Sequence, residues 1–361
     1  MSDIPKKMSG VHLTGHGGLD KLIYKEDIPV PSPKSGEVLI EIKGAGVNNT
    51  DINTRLGWYS KKVKSDTNVG WSEGLSEADE DDGSWSGIPL QFPRIQGGDI
   101  CGYIVQVGEG VNPVRIGERV LVRSMQNAPS SDNPLAMQTI GSEVDGGFAQ
   151  YCVTKSHESF TINCNWTDIE LASIPISYST AEGMLCRADI QKETILITGA
   201  SGGVGSAVIQ LAKIRGATII AQCSREKSSA LIDLGADQTL NRDDDLVEVL
   251  GNDSVDAVID LVGGSIWPQF LDILKPGGKY VVSGAIAGPI VNLDLRSLYL
   301  KDLTLYGSTV NEPYIFENVI RYIEEGKIKP LVSESFPLQD IHKAQIAFME
   351  KKFIGKLVLI P

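Results

Sequence analysis

The stretch that decides the fold is Thr194–Lys213, TILITGASGGVGSAVIQLAK, in which an apolar run passes through glycines into an amphipathic pattern. Residues 194–198 are short, apolar and rich in β-branched side chains, as expected of a buried strand. After the glycines, apolar residues recur at helical spacing, at Val204, Val208, Leu211 and Ala212. The stretch therefore predicts a strand that turns directly into a helix.

The turn itself, Ala200-Ser201-Gly202-Gly203-Val204-Gly205, has the A-x-G-x-x-G spacing of the Rossmann dinucleotide fingerprint. Glycines close such a turn tightly and let the backbone approach a pyrophosphate, while unpaired N–H groups at the helix N-terminus face the phosphates. Further strand patterns at 218–221, 257–260 and 279–283 favour a doubly wound parallel sheet. We predict that a dinucleotide is bound by Ser201, Gly202, Gly203 and Val204.

The end of the second predicted strand bears on which dinucleotide is bound. NAD-binding proteins place an acidic residue about 20 residues after the glycines, to bind the ribose 2′-hydroxyl. Here residues 221–227 read AQCSREK, and the acid Glu226 comes late. A 2′-phosphate is held by a hydroxyl and fixed cations, so Ser224, Arg225 and Lys227 favour NADP(H) as the cofactor. The alternative interpretation of this segment is a solvated charged loop.

Composition sets outer limits on function. The chain has 361 residues, of which 42% are hydrophobic, enough for two domains with sizeable cores. A formal net charge of −13 would repel a phosphate backbone, so we expect no nucleic-acid partner. No apolar run reaches the roughly 18 residues of a membrane helix, and MSDIPKKMSG lacks the apolar core of a signal peptide. We therefore expect no membrane partner, a cytoplasmic location and five reduced cysteines.

The first part of the chain is patterned differently from the region around the glycine turn. Residues 9–57 and 88–153 carry short β patterns, such as Val38–Ile42 and Arg119–Val122, punctuated by proline and glycine. From about Ile169 the pattern changes to an alternation of helices and strands. The fold class is therefore α/β, with a β-rich domain followed by a doubly wound parallel-sheet domain.

An ordered set of motifs resembles the medium-chain dehydrogenase/reductase superfamily over nearly the whole chain: Gly44–Asn48, Asp51, Gly97–Asp99, Val107–Val111, Gly117–Val120 and then GASGGVG. The resemblance implies a GroES-like catalytic domain over 1–177, a Rossmann NADP-binding domain over 178–310, and a segment over 311–361 that returns to the catalytic domain. It also implies a homodimer acting on a small-molecule substrate. Further cofactor contacts implied by the resemblance are Asn241, Val262, Gly263, Ser283, Gly284 and Thr309.

The chain departs from the alcohol dehydrogenase branch of that superfamily at the metal positions. That branch has a Cys–His–Cys zinc site, whereas the corresponding residues here are Asn48, Gly98 and Ile176. Glycine and isoleucine offer no side-chain ligand, and a catalytic zinc needs three. The stretch 123–142, where many relatives carry a four-cysteine zinc lobe, contains no cysteine. The resemblance therefore implies no metal and is to the zinc-free quinone oxidoreductase-like branch, whose members typically use NADPH on quinones or enones.

Three residues are the candidates for catalysis. Without a Lewis acid, a carbonyl oxygen must be polarised by hydrogen-bond donors, which favours quinones and activated alkenes as hydride acceptors. We assign Asn48 as a polar group near the nicotinamide and the substrate oxygen, and Asp51 as its orienting neighbour. A helix-capping carboxylate is the alternative for Asp51. Tyr59 is a candidate donor to the developing enolate, with packing beside Trp58 as the alternative.

An insertion at about 60–88 separates this chain from compact relatives. Three lysines are followed by an acidic run between Trp71 and Trp85. We favour a solvated insertion over a lid or a subunit contact, and the D-x-D-x-D-G pattern of a calcium loop is missing.

The predicted function is zinc-independent, NADPH-dependent hydride transfer to a quinone or an α,β-unsaturated carbonyl. The alternatives are an alcohol or aldehyde dehydrogenase-like reductase of the same superfamily, and a non-catalytic NADPH-binding protein. The spacing at 198–205 also fits short-chain dehydrogenases, but no tyrosine after 205 has a lysine four residues on.

Overall fold

A computed structural model describes residues 4–79, 81–86, 89–127 and 136–361. The chain divides into two compact units. Unit 1 comprises Met1–Val63, Val69–Ile176 and Phe316–Pro361, and unit 2 comprises Lys64–Asn68 and Ser177–Ile315. The long segment of unit 2 begins at Ser177, beside the boundary predicted at 177/178. It ends at Ile315, a few residues after the boundary predicted at 310/311.

The elements are numbered in chain order. The strands are β1 (Lys7–Leu13), β2 (Leu22–Pro29), β3 (Glu37–Gly46), β4 (Arg94–Ile95), β5 (Cys101–Val107), β6 (Arg119–Val122), β7 (Met125–Asn127), β8 (Met137–Thr139), β9 (Tyr151–Lys155), β10 (Ser159–Thr161), β11 (Thr194–Ile197), β12 (Thr218–Cys223), β13 (Gln238–Asn241), β14 (Val255–Asp260), β15 (Leu274–Val282), β16 (Thr304–Gly307), β17 (Val332–Pro337) and β18 (Lys356–Ile360). The helices are α1 (Asn49–Leu56), α2 (Asp168–Leu171), α3 (Pro175–Arg187), α4 (Gly203–Arg215), α5 (Ser228–Leu234), α6 (Leu246–Leu250), α7 (Trp267–Ile273), α8 (Leu295–Leu300), α9 (Pro313–Glu324) and α10 (Ile341–Glu350).

Unit 1 is built on β-sheets, as its alternating sequence pattern predicts. Its largest sheet has the order β10-β6-β5-β3-β18-β17, with β9 paired to β3 off this path, and smaller sheets are β2-β1-β4 and β7-β8. On β3, Val38, Ile40 and Ile42 are buried in the core at a spacing of two residues. The C-terminal strand β18 lies antiparallel beside the end of β3, with Val358 opposite Gly46. This pairing brings the last residues of the chain next to the start of α1.

Unit 2 is a doubly wound parallel sheet, so the predicted fold class is confirmed. Its strand order is β13-β12-β11-β14-β15-β16, and every neighbouring pair is parallel. The order reverses between β11 and β14, which is the switch point at which ligands bind in such sheets. The fold-deciding stretch forms β11, the glycine turn and α4, and the helix ends at Gly216 in the left-handed region (φ 85°).

The described part of the insertion is more than a solvated excursion. Trp71 and Leu75 pack against the core of unit 1. The fully buried Arg55 donates hydrogen bonds to the carbonyl oxygens of Trp71 (2.8 Å) and Gly17 (2.8 Å), so it ties the insertion to α1. Partly buried apolar side chains and a buried cation anchor this segment, which its acidic run alone did not indicate. Glu80, Gly87 and Ile88 lie outside the described residues.

None of the described helices is both long enough and apolar enough to span a membrane.

Candidate functional site

The glycine turn of unit 2 is shaped by the absence of side chains. Gly199 has a φ of 56°, which favours glycine, and Gly202 caps the N-terminus of α4. A Cβ placed on Gly205 would lie 2.5 Å from the Gly199 oxygen, so only glycine fits between helix and strand. A Cβ on Gly202 would meet nothing closer than 3.5 Å. The open N-terminus of α4, with Ser201 before it, is therefore a cradle of the kind that binds phosphate groups.

A buried carboxylate fixes the neighbouring strand ends. Asp260 is fully buried and accepts hydrogen bonds from the Thr198 hydroxyl (2.6 Å) and the Tyr280 hydroxyl (2.5 Å). It also accepts from the backbone N–H groups of Val262 (2.9 Å) and Gly263 (3.1 Å). These bonds join β11, β14 and β15 at their carboxyl ends. Asp260 thereby fixes the backbone conformation of the loop that carries Val262 and Gly263, two of the predicted cofactor residues.

The remaining strand ends fit a polar ligand. A Cβ on Gly284 would lie 2.8 Å from the Leu261 oxygen, so the backbones approach closely there. Ser283 is half-buried and Thr309 is exposed. Among the described residues, the buried Gln222 Nε2 and Ser308 Oγ atoms have no hydrogen-bond partner. Gln222 is the penultimate residue of β12 and Ser308 directly follows β16, so both lie at carboxyl ends of strands, where nucleotides bind. These unpaired atoms and the open glycine turn suit a dinucleotide.

Several cations surround the end of β12. Ser224 caps a 3₁₀ turn, Arg225–Lys227, in which Arg225 is exposed and burial lowers the pKa of the Lys227 ammonium. A hydrogen bond from Ser224 lowers the pKa of the exposed Glu226 carboxyl. Arg242, which the sequence analysis missed, follows Asn241 and donates its backbone N–H to the Cys223 oxygen (3.0 Å). Acids also lie here, because the Arg242 guanidinium is 4.0 Å from the Asp243 carboxylate, so the tip carries cations and acids side by side.

In unit 1, Asp51 caps α1. Its carboxylate accepts a hydrogen bond from the backbone N–H of Asn48 (2.7 Å), the residue that precedes the helix. Asp51 is buried, and this burial raises its pKa to about 7, against the opposing effects of the Asn48 N–H and of Lys356. This bond is the one that the capping alternative for Asp51 describes, and it also holds the backbone of Asn48 in place.

Asn48, Asp99 and Lys356 form a buried network that we call the polar cluster. The Lys356 ammonium donates to Asn48 Oδ1 (2.5 Å) and to Asp99 Oδ2 (2.7 Å), and Asn48 Nδ2 donates to the same Asp99 oxygen (2.8 Å). The second Asn48 amide hydrogen is directed at the Gly46 oxygen at a longer 3.3 Å. The exposed fraction is 7% for Asn48, 0% for Asp99 and 4% for Lys356, so the two charges have little contact with water. Gly46 must be glycine, because a Cβ there would lie 2.6 Å from Asp99 Oδ2.

Tyr59 lies beyond α1 at the start of the insertion. Its hydroxyl donates to Thr50 Oγ1 (3.2 Å), and its ring stacks on Trp85 with the planes 9° apart and meets Trp58 edge-on. Burial raises the pKa of the Tyr59 hydroxyl. The Tyr59 hydroxyl is therefore protonated at neutral pH. The Tyr59 ring packs beside Trp58, as the alternative interpretation of this residue describes.

Comparisons with known proteins agree with this architecture. Residues 34–163 match the family described as the alcohol dehydrogenase GroES-like domain, and residues 203–325 match the zinc-binding dehydrogenase family. A solved structure from Sinorhizobium meliloti 1021, provisionally described as an alcohol dehydrogenase, is 44% identical and covers 100% of this chain and 98% of its own, with a TM-score of 0.89. The chain belongs to the medium-chain dehydrogenase/reductase superfamily.

Other members of the superfamily differ in their described activities. An NAD-dependent alcohol dehydrogenase of Saccharolobus solfataricus is 28% identical over 95% of this chain and 98% of its own. A quinone oxidoreductase of Rattus norvegicus is 25% identical over 98% of each chain. As a medium-chain dehydrogenase/reductase, the protein is an oxidoreductase that uses a nicotinamide cofactor.

The zinc positions of this dehydrogenase/reductase are filled by other groups. A Cβ on Gly98 would lie 2.6 Å from Ile176 Cδ1, so the isoleucine occupies the space of a side chain at position 98. The backbone N–H of Ile176 donates to Asp99 Oδ1 (2.5 Å), and Asn48 Oδ1 is bonded to Lys356. Over the described ranges, which leave out 128–135, no three His, Cys, Asp or Glu residues are grouped to hold a metal ion. The side chains at these positions therefore do not fit a zinc ion.

Sequence reasoning missed three charged residues that the structure brings to these sites. Asp99 was noted as part of a motif but given no role, Lys356 fell within the segment 311–361 without being singled out, and Arg242 was not considered. The available signal was a lone charge inside an apolar strand pattern, KLVLI for Lys356. The structure brings Asn48 and Asp51 together in unit 1, while the predicted cofactor residues lie in unit 2.

Proposed function

We propose that this protein reduces an activated alkene or a quinone with hydride from NADPH, and does so without zinc. The observation that carries the proposal is the polar cluster, together with Ile176, at the positions where alcohol dehydrogenase relatives hold zinc. Reduction of a simple ketone leaves a localised alkoxide, which a metal stabilises well. Reduction of an enone or a quinone spreads the charge, and N–H donors are sufficient to hold it.

The chain's own residues have separate parts in this chemistry. When bound, the reduced nicotinamide supplies a hydride, which enters the β-carbon of an enone or the quinone ring system. Asn48 offers the amide hydrogen that is directed at Gly46, because that 3.3 Å contact is the weaker of its two. Tyr59 retains its proton at neutral pH and can donate it to the enolate. One hydride and one proton together complete a two-electron reduction.

The cofactor preference is supported by the tip of β12. The Ser224 hydroxyl and the cations of Arg225, Lys227 and Arg242 are suited to a 2′-phosphate, which an acid would repel. Glu226 competes for Ser224, so the guanidinium groups must supply most of the preference. The Lys227 ammonium is buried and has a lowered pKa, which makes the exposed Arg225 the stronger candidate.

The direct test is a screen of NADPH oxidation by purified protein against quinones, enones, enoyl thioesters and aldehydes. We expect turnover with enones or quinones to exceed oxidation of simple alcohols with NADP⁺ or NAD⁺ by a wide margin. The second candidate, an alcohol dehydrogenase, is favoured by the likeness to the Sinorhizobium meliloti structure. Dominant alcohol oxidation in the screen would establish that alternative, and binding of NADPH without turnover would establish a non-catalytic protein.

We also propose that the protein is a homodimer, formed through the exposed apolar face of unit 2. Leu295, Tyr299 and Leu300 on α8 are 65%, 61% and 71% exposed, and the nearby β16 is an edge strand in the described sheet. An edge strand can pair antiparallel with its own copy about a twofold axis. Light scattering should give twice the chain mass, and Tyr299→Lys with Leu300→Glu should give the monomer. A parent protein that is monomeric at all loading concentrations contradicts this assembly.

A further inference from the structure

The Asn48 carboxamide is held by two opposite charges. An amide has similar shapes in its two flipped orientations, and hydrogen bonding alone decides between them. Here Oδ1 faces the Lys356 ammonium, and Nδ2 faces the Asp99 carboxylate. A flip would set an N–H against an ammonium and a carbonyl oxygen against a carboxylate, at distances below 3 Å. Both contacts would be repulsive, so the two charges fix one orientation.

We propose that Lys356 is a positioning residue, which with Asp99 orients and polarises Asn48 as the group that binds the substrate oxygen. This inference rests on the proposed function for the role of Asn48. A cation on Oδ1 withdraws electron density from the amide, and this strengthens Nδ2–H as a donor. The amide then partly replaces the polarising effect of a metal, with the positive charge placed one group further from the substrate.

The backbone places Lys356 for this task. It is the first residue of β18, and the Val47 N–H donates to the Leu357 oxygen (2.9 Å) directly beside Asn48. The Lys356 side chain is 5% exposed, so its long stem is fixed by packing rather than free in solvent. The Asp99 partner is equally fixed, because its other oxygen accepts the Ile176 N–H.

A second buried ion pair in unit 1 provides a matched control. Arg123 and Glu158 are 2% and 2% exposed, and two Arg123 nitrogens bond to the carboxylate at 2.6 and 2.7 Å. This pair is as buried as Lys356 and Asp99 but makes no hydrogen bond to Asn48. Removing it tests what the loss of a buried ion pair does to the protein in general.

The experiment compares two double variants with the parent. Lys356→Met alone would leave the buried Asp99 unpaired and could prevent folding, so Lys356→Met is combined with Asp99→Asn. We expect this double variant to fold, to bind NADPH within about twofold of the parent, and to lose about 100-fold in kcat, the low end for one lost donor. The control Arg123→Met with Glu158→Gln should keep the parental kcat. A Lys356→Met/Asp99→Asn variant with parental kcat would overturn the proposal.

A measurement without turnover separates this inference from the proposed function. In protein labelled with ¹⁵N-asparagine, the Asn48 side-chain NH₂ signals are identified by their loss in Asn48→Ala. We expect one hydrogen to be shifted downfield by its carboxylate acceptor in the parent and to lose this shift in Lys356→Met/Asp99→Asn. If the substrate screen fails but this shift is lost, the orientation stands and the proposed function falls. If the signals are unchanged in the double variant, the positioning role is wrong even for an active enzyme.

Discussion

The glycine turn of unit 2 and the polar cluster of unit 1 are built in opposite ways. The turn uses consecutive residues, Gly199–Gly205, and acts through backbone N–H groups and missing side chains. The cluster uses three buried side chains, and its two bonds to Lys356 join residues 308 and 257 positions apart. A local site of the first kind is sensitive to added atoms, whereas a site of the second kind is sensitive to lost partners. Substitutions at the two sites should therefore differ in what they change and by how much.

Removing the charge of Asp51 should change how stability depends on pH. Its folded pKa of about 7 exceeds the ordinary 3.8, so between these values the native state binds a proton that the unfolded state has released. The contribution of Asp51 to stability should therefore fall as pH rises from 4 to 7, by about 4 kcal/mol at about 1.4 kcal/mol per pKa unit. The neighbouring charges that act on Asp51 are Lys356 and Asp99.

The Asp51→Asn variant keeps an oxygen that can accept from the Asn48 N–H, but its side chain does not ionise between pH 4 and pH 7. Denaturant unfolding of both proteins at several pH values measures the effect. We expect the parent to lose stability relative to the variant between pH 4 and pH 7, because only the parent has the Asp51 carboxyl. Parallel pH profiles for parent and variant would show that Asp51 is ionised normally in the folded protein.

Truncating Asn48 tests the cluster at its centre. Losing one donor to a developing oxyanion typically costs about 10²–10³ in turnover, and we expect Asn48→Ala to fall in this range. NADPH binding should stay nearly intact, because the predicted cofactor residues lie in unit 2. Steady-state kinetics on the best substrate of the screen, with a separate NADPH titration, check both parts. If Asn48→Ala turns over like the parent, the side chain has only a structural role.

In unit 2, replacing the cations around the end of β12 should change the preference for NADPH over NADH. A charge-assisted arginine–phosphate contact contributes about 1.5 to 3 kcal/mol, so NADPH should bind about ten- to a hundredfold more tightly than NADH. Arg225→Ala should remove most of this preference, and Arg242→Ala should remove a smaller part because its guanidinium already lies 4.0 Å from the Asp243 carboxylate. Direct titrations with both cofactors provide the measurement. Equal affinities in the parent protein would reject the assignment of NADP(H).

Metal removal should have the smallest effect. Since Gly98 and Ile176 supply no ligand and Ile176 fills the intervening space, we expect less than stoichiometric zinc by elemental analysis. Activity should be unchanged after dialysis against a chelator. One tightly bound zinc per chain, lost together with activity, would place this protein with the metal-dependent relatives.

The site made of consecutive residues could be predicted from the sequence more completely than the site made of residues far apart in the chain. The glycine turn, β11 and α4 were evident because every determinant lies within 20 consecutive residues. Asn48 and Asp51 were found through an ordered set of motifs, and the capping bond between them is local. Lys356 was missed as a site residue because nothing in KLVLI tells which strand β18 will join. Asp260 was noted only as a strand end, since two of its partners, Thr198 and Tyr280, become its neighbours only after the sheet forms.

The placement of β18 also has a consequence for the order of folding during synthesis. Almost all of unit 2 is one continuous stretch, Ser177–Ile315, which leaves the ribosome before the last strand of unit 1. The largest sheet of unit 1 is incomplete until β18 pairs with β3. The part of unit 1 that is synthesised first must therefore persist with an unpaired strand edge. The polar cluster is completed by the same event, because Lys356 arrives with β18. Asp99 would otherwise be a carboxylate without its cation, so the polar cluster should form only after β18 has been synthesised.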